Sequence, residues 1–266
     1  FNAIINKNLR DEVLEHNVHD AMQDAILKDK GIENKDADNI KIDFDHGKLY
    51  LASVVTKEAV KSYLQLLKKD LTEHFKDANS YKLVATEKKL KAIIDVGGNK
   101  IKLKGYADRI DLRNNKIAIL DYKTGKVDEK NLKCNDDISE IFVDPQYKQM
   151  LQLLMYAYLY EKNIDASAKD LPKSDEYACG IISFQKMYMK QPHEIYPLFK
   201  YKDSEGQEIQ TSLISKELLS IFEEYLRDLL SDIFNEEKDF TQAEDPDRCK
   251  YCDYANICCK QNHLDE

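Results

Sequence analysis

No stretch of this 266-residue chain is apolar for long enough to cross a bilayer, and its opening carries no signal-peptide pattern. Neither membrane insertion nor secretion is therefore expected, and the expected location is cytoplasmic. Internal repeats and low-complexity tracts are also absent. Positive charge is outnumbered: 40 Lys and Arg stand against 49 Asp and Glu, for a net charge of -9 at pH 7 and a sequence pI near 5.3. Spread over a whole surface, that balance disfavours a non-specific nucleic-acid binder. It is compatible with one in which acids gather around a metal and basic groups line a narrow channel. Hydrophobic residues make up 42% of the chain, which is enough to bury a real core at the upper end of single-domain size.

What is present is a hairpin loaded with charge. Lys104-Gly-Tyr-Ala-Asp-Arg-Ile-Asp111 and Lys116-Ile-Ala-Ile-Leu-Asp-Tyr-Lys-Thr-Gly125 both read as strands, and Asn114-Asn115 between them reads as a turn. The apolar run Ile117 to Leu120 leads straight into Asp121, Tyr122 and Lys123, so these charges are expected at the end of a buried strand. Charge there is costly without a partner. Asp108 and Asp121 can supply that partnership by holding a hard cation such as Mg²⁺, which keeps waters and shares ligands with substrate phosphates. Asp121 and Lys123 are two apart and share a strand face, while Tyr122 points away and leaves its backbone carbonyl free as a further ligand. An ammonium at Lys123 would steady a nucleophile or a developing negative charge. The chemistry that needs this set is metal-assisted phosphodiester hydrolysis. The plain alternative is a solvated hairpin in a chain that is 33% charged.

Patterning predicts helices over residues 9–30 and Thr56 to Phe75, then strands Tyr81 to Thr86, Leu90 to Asp95 and Ile101 to Ile110, with a Gly97-Gly98-Asn99 turn. After the Lys116 to Lys123 strand, residues 124–145 read as a long loop suited to a lid. A helix from Gln146 to Tyr160 places Gln152 and Tyr156 one turn apart on one face. A strand over Ala178 to Gln185 and a helix over Ser215 to Asn235 follow. This order predicts an α/β fold, a mixed central β-sheet flanked by helices. Between them, Lys186, Lys190, Lys200 and Lys202 interleave with Phe184, Tyr188, Tyr196, Phe199 and Tyr201. That is a candidate DNA-binding ribbon, with ordinary cross-strand aromatics as the alternative. Cys249, Cys252, Cys258 and Cys259 crowd a tail over residues 241–266, a clustering that favours metal over disulfides.

Together, Gly105-Tyr-Ala-Asp-Arg-Ile-Asp111, Asp121-Tyr-Lys-Thr-Gly125 and Gln152-Leu-Leu-Met-Tyr156 resemble the PD-(D/E)XK nuclease superfamily. Within it, they are most similar to the branch of RecB and AddB nuclease domains and CRISPR-associated nucleases with an iron-sulfur cluster. The resemblance runs from His19 to Cys258 and implies a restriction-endonuclease-like core in a single domain over residues 1–266. It implies Mg²⁺ or Mn²⁺ held by His19, Asp108 and Asp121, with Lys123 as the catalytic lysine and with Gln152 and Tyr156 lining the site. Asp108, three residues after Gly105, matches the family ligand, and Asp111 is expected to be a strand-end residue. Glu87 would bind a second metal or orient a ligand, and a surface glutamate is its alternative. His19 sits beside the apolar stripe Leu14, Val18, Met22 and Ile26, where a boundary residue is the alternative; Glu15 stands where the family has glycine.

The resemblance also implies that Cys249, Cys252 and Cys258 join an upstream cysteine around a 4Fe-4S cluster. The chain opens on Phe1 and has no cysteine before His19. It is therefore read as a fragment of a longer helicase-nuclease protein in which the cluster is incomplete. The implied activity is that of a deoxyribonuclease, an exonuclease in DNA repair and recombination, with DNA ends or single strands and a helicase domain or subunit as partners. The rivals are a catalytically inactive DNA-binding or scaffolding domain, and a zinc-binding module built on the tail.

Overall fold

The computed structural model describes residues 7–30, 40–74, 80–165, 171–188, 194–239, 249, 252–255, 257 and 258. Two helices come first, α1 (Asp11–Asp29) and α2 (Gly47–Glu73). α1 has Asp11 and Glu12 in its first turn and Lys28 in its last, which complements the helix dipole, and it buries Leu14, Val18 and Leu27. α2 begins at Gly47, well before the expected Thr56. The added stretch contains Tyr50, Ser53, Val54 and Val55, residues of weak intrinsic helix preference. Packing of α2 against α1 overrides that preference.

Three strands follow, β1 (Tyr81–Val96), β2 (Asn99–Arg113) and β3 (Lys116–Lys123). The next helices are α3 (Glu140–Val143) and α4 (Lys148–Glu161). Beyond them come β4 (Glu176–Ser183), β5 (Glu194–Ile195), β6 (Phe199–Lys202), β7 (Glu208–Thr211), β8 (Ile214–Ser215) and α5 (Lys216–Ile233). The main sheet has the order β1-β2-β3-β4-β5, with β8 also on β4. β3 and β4 are parallel and the other pairs antiparallel. The two predicted tight turns form as their residues allow: Gly97 and Gly98 have φ of 58° and 86°, and Asn114 and Asn115 have 49° and 66°. The two short strands expected over Tyr81 to Asp95 are one continuous strand, with a register shift between Leu83 and Ala85 and a left-handed residue at Glu87, whose φ is 48°.

Alternation along β3 sorts the layers. Ile117 and Ile119 enter the main core with Leu90, Ile94, Ile110, Leu153 and Leu154, beneath α4 and α5. Leu120 and Ile182 face the other way, toward Tyr63 and Leu66 of α2. The sheet is thus mixed and flanked by helices on both faces, the restriction-endonuclease-like arrangement. Gly105 is where α4 comes closest to β2: a Cβ there would lie 2.8 Å from Leu159 Cδ1 and 3.7 Å from Tyr156 Cε1.

Two expectations need correction. Residues 124–145 are not a free lid. Val127, Leu132, Cys134, Ile138 and Ile141 are buried in the main core, and Asp128 and Asp144 accept from the amides of Lys130 and Gln146 to close short helical turns. Isolated apolar residues set among charges leave no period to read. The lysine ribbon is also differently built, since β5 joins the main sheet and β6 pairs with β7, which lies beyond the expected segment.

Candidate active site

The register of β2 on β3 sets up the site. Arg109 lies opposite Leu120, so the next positions outward on the two strands are Asp108 and Asp121. Asp108 Oδ2 accepts from the backbone amide of Tyr122 at 2.7 Å, which ties one carboxylate to the strand carrying the other. Asp121 is 3% exposed, so its charge must be met from inside the fold. Its Oδ1 accepts from Gln152 Nε2 at 3.1 Å and from the Tyr156 hydroxyl at 3.2 Å, both on α4. Gln152 Nε2 also donates to Tyr156 Oη at 2.7 Å, and Lys123 Nζ donates to Gln152 Oε1 at 3.1 Å. One turn of α4 therefore organises both ends of the Asp-x-Lys strand.

Asp121 Oδ2 has a different environment. Lys123 Nζ stands 2.8 Å away as a charge partner, but no hydrogen bond of good geometry reaches this buried oxygen. Burial holds the Asp121 pKa above its usual 3.8, with the neighbouring Asp108 charge adding to that and Lys123 opposing it. Burial, with the Asp121 charge beside it, pushes the Tyr156 phenol up to about 12, so it remains a donor at neutral pH. An open buried carboxylate oxygen next to a second carboxylate is an oxygen donor set that fits a divalent cation. Asp108 and Asp121 would hold it, and it would supply Lewis acidity and a more acidic water there. Lys123 stands ready to offset negative charge developing at the same point.

A family model for the PD-(D/E)XK nuclease superfamily matches residues 6–259. The chain belongs to this superfamily. A search of the curated proteins returns no match. Among solved structures, the chain is similar to one described as "Crystal structure of SSO0001", at 18% identity and a TM-score of 0.33, covering 79% of each chain. That likeness is too distant to bear on fold or function.

Superfamily membership gives Asp108, Asp121 and Lys123 a shared context, but several other predicted residues lie elsewhere. His19 stacks on Phe44, with ring centroids 4.8 Å apart, and among the described residues no three His, Cys, Asp or Glu side chains form a metal-binding group. His19 is thus not gathered with the two aspartates. Glu87 is exposed and left-handed, at the β1 position facing Asp108, where the β1–β2 register skips a pair. Tyr122 turns its ring away to Tyr63 and Phe184, 5.9 and 5.7 Å off, as alternation predicts. Lys186 is paired with Glu129, Lys200 donates to the Asn135 carbonyl at 2.7 Å, Lys202 is exposed, and Lys190 lies outside the described residues. Of the tail, Cys249, Cys252 and Cys258 are described, and they form no metal-binding group. Among the described residues these three thiols do not converge as a cluster would require.

Sequence reasoning missed two features beside the site. Asp111 is not a strand-end residue. It is fully buried and takes Arg109 Nε at 2.9 Å and Arg113 Nη2 at 2.8 Å, while Arg113 reaches on to Glu194 at 2.8 Å. The alternation Arg109-x-Asp111-x-Arg113 was the available signal. Ser183 lies opposite Lys123 in the parallel β3–β4 register, and its buried hydroxyl has no hydrogen-bond partner. No local pattern marks it.

Proposed function

We propose that this protein is a Mg²⁺- or Mn²⁺-dependent deoxyribonuclease that hydrolyses phosphodiester bonds at DNA ends or in single strands, acting as an exonuclease in recombination and repair. The observation that carries the hydrolytic reading is Asp121 Oδ2: a buried, charge-paired oxygen without a hydrogen bond, beside Asp108 and within reach of Lys123. The resemblance of the Gly105, Asp121 and Gln152 motifs to the RecB and AddB branch supports the role in DNA processing and a helicase partner.

In this reading Asp108 and Asp121 would hold a divalent cation, with the Tyr122 carbonyl as a further candidate ligand, and the cation would supply Lewis acidity at the scissile phosphate. Tyr156 and Gln152 hold Asp121 Oδ1, which would leave Oδ2 for the cation, and Gln152 holds Lys123, whose ammonium would offset charge on the phosphate oxygens. His19 would join the ligand set only by moving off Phe44, and Glu87 would orient a water from the neighbouring strand.

The test is cleavage of end-labelled linear, closed circular and single-stranded DNA with Mg²⁺, with Mn²⁺ and with chelator. Metal-dependent loss of the linear and single-stranded substrates, with the closed circle spared, is the expected result. Nicking of the closed circle would replace exonuclease with endonuclease action. DNA binding without cleavage under either metal would favour the scaffolding alternative.

A further inference from the structure

The longest hairpin in the fold carries a surface that the site leaves unused. From Lys88 to Tyr106 the chain has six lysines, Lys88, Lys89, Lys91, Lys100, Lys102 and Lys104, against the single acid Asp95, in a protein of net charge -9. Lys100, Lys102, Lys104 and Tyr106 occupy alternate positions of β2, all exposed, while Ile101, Leu103 and Gly105 between them turn toward the core. On β1 their partners are Asp95, Ile93, Lys91 and Lys89. Lys104 faces Lys91 directly, a like-charge pairing that costs stability in an isolated sheet. Asp165 offsets Lys91 at 2.8 Å, whereas Lys100, Lys102 and Lys104 have no ion pair among the described residues. Asp95 is engaged with the Gly98 amide at 3.0 Å.

Two apolar groups interrupt the charge. Ile93 is 43% exposed and Tyr106 is 51% exposed, with Lys89 Nζ 5.7 Å from the Tyr106 ring centroid. Lysines at alternate strand positions stand about 7 Å apart, and Tyr106 lies about 7 Å along β2 from Asp108, with Lys100 about 27 Å away. The row therefore runs away from the level of the carboxylates along a single strand, on the face of the sheet opposite α4.

We propose that the exposed face of the β1–β2 hairpin, with Lys100, Lys102, Lys104 and Tyr106, is the track along which a single strand of nucleic acid runs into the site. The proposal rests on the nuclease reading above. The lysines would neutralise successive phosphates, and Tyr106 would stack on a base next to the site, the combination by which proteins bind single strands without sequence preference. This surface answers the need that Lys186 and Lys200 do not meet, since those ammonium groups are engaged within the fold.

The test is binding of a fluorescent oligodeoxythymidylate of about 20 nucleotides, long enough to span a typical single-strand site, in chelator so that nothing is cleaved. The Lys100→Gln, Lys102→Gln, Lys104→Gln triple variant should lower the slope of log affinity against log salt by about 2, or roughly 0.7 for each phosphate left without its lysine. The corresponding Lys→Arg triple should keep the slope, which separates charge from fold. Tyr106→Leu should weaken oligodeoxythymidylate binding roughly tenfold and leave a duplex of equal length unaffected. An unchanged slope in the Gln triple, with cleavage by the wild-type protein intact, overturns the track and leaves the nuclease reading standing. Equal loss for duplex and single strand in Tyr106→Leu overturns the single-strand assignment. A wild-type protein that neither binds nor cleaves DNA removes both.

Discussion

Gly105→Ala offers a sharp test of how the fold builds the site. The new Cβ would sit 2.8 Å from Leu159 Cδ1, closer than such atoms approach, and 3.7 Å from Tyr156 Cε1, an ordinary contact. Leu159 is 1% exposed, so its side chain has little room to turn aside. Overpacking a filled core in this way costs about 1–3 kcal/mol. Leu159→Ala alone should cost about 2–5 kcal/mol through the cavity it leaves. In the double variant the methyl group at position 105 enters that cavity, so the combined cost should fall short of the sum by at least about 1 kcal/mol. Urea denaturation of the four proteins measures the coupling, since m should change little while the midpoint shifts. The same α4 displacement moves Tyr156, whose hydroxyl holds Asp121, so Gly105→Ala should also lower kcat and the double variant should recover part of it. Additivity within about 0.5 kcal/mol would refute the argument that Gly105 is there to let α4 approach.

Other predictions concern single groups. Asp121→Asn should reduce cleavage by at least about 100-fold, as should Lys123→Ala, and DNA affinity in chelator should be retained; soluble folding of both variants is the control. Because burial raises the Asp121 pKa, the folded metal-free protein holds its proton more readily than the unfolded chain, so the stabilising contribution is full below the unfolded value and lost as pH rises through the folded one. Asp121→Asn should therefore raise metal-free thermal stability at pH 7, read as a higher melting temperature in chelator. Asp111→Ala should destabilise the protein by about 3–5 kcal/mol, since it takes the carboxylate from buried Arg109 and leaves Arg113 with Glu194 alone, an effect read from the denaturation midpoint. His19→Ala should leave the Mn²⁺ concentration dependence of cleavage unchanged if His19 stays stacked on Phe44; a raised Mn²⁺ requirement would make it a ligand.

The sequence is most legible where local pattern and burial coincide. The apolar run before Asp121 does mark a strand buried on both faces, and the turn residues at Gly97 and Asn114 do fold the strands that bring Asp108 beside it. The four-residue spacing of Gln152 and Tyr156 does put both on Asp121. What depends on distant pairing is not legible. Residues 124–145 look like a lid because their apolar residues have no period, and only the sheet above them shows what they fill. The Lys186 to Lys202 segment looks basic when charge is counted along the chain, whereas Glu129 and the Asn135 carbonyl come from elsewhere. The hairpin lysines are hidden for the converse reason: each looks like an ordinary polar position, and their alignment emerges only from the β1–β2 register. His19 marks the limit of motif transfer, since a histidine on the expected helix stacks on Phe44 and does not join the carboxylates.

The central claim is that Asp108 and Asp121 together hold a catalytic divalent cation. An anomalous-scattering map from crystals soaked in Mn²⁺ tests it directly. The account predicts a peak within about 2.0–2.6 Å of Asp121 Oδ2 that also contacts Asp108 and disappears in Asp121→Asn crystals. A strong peak elsewhere, or none at the paired carboxylates under soaking conditions that support cleavage, would contradict it.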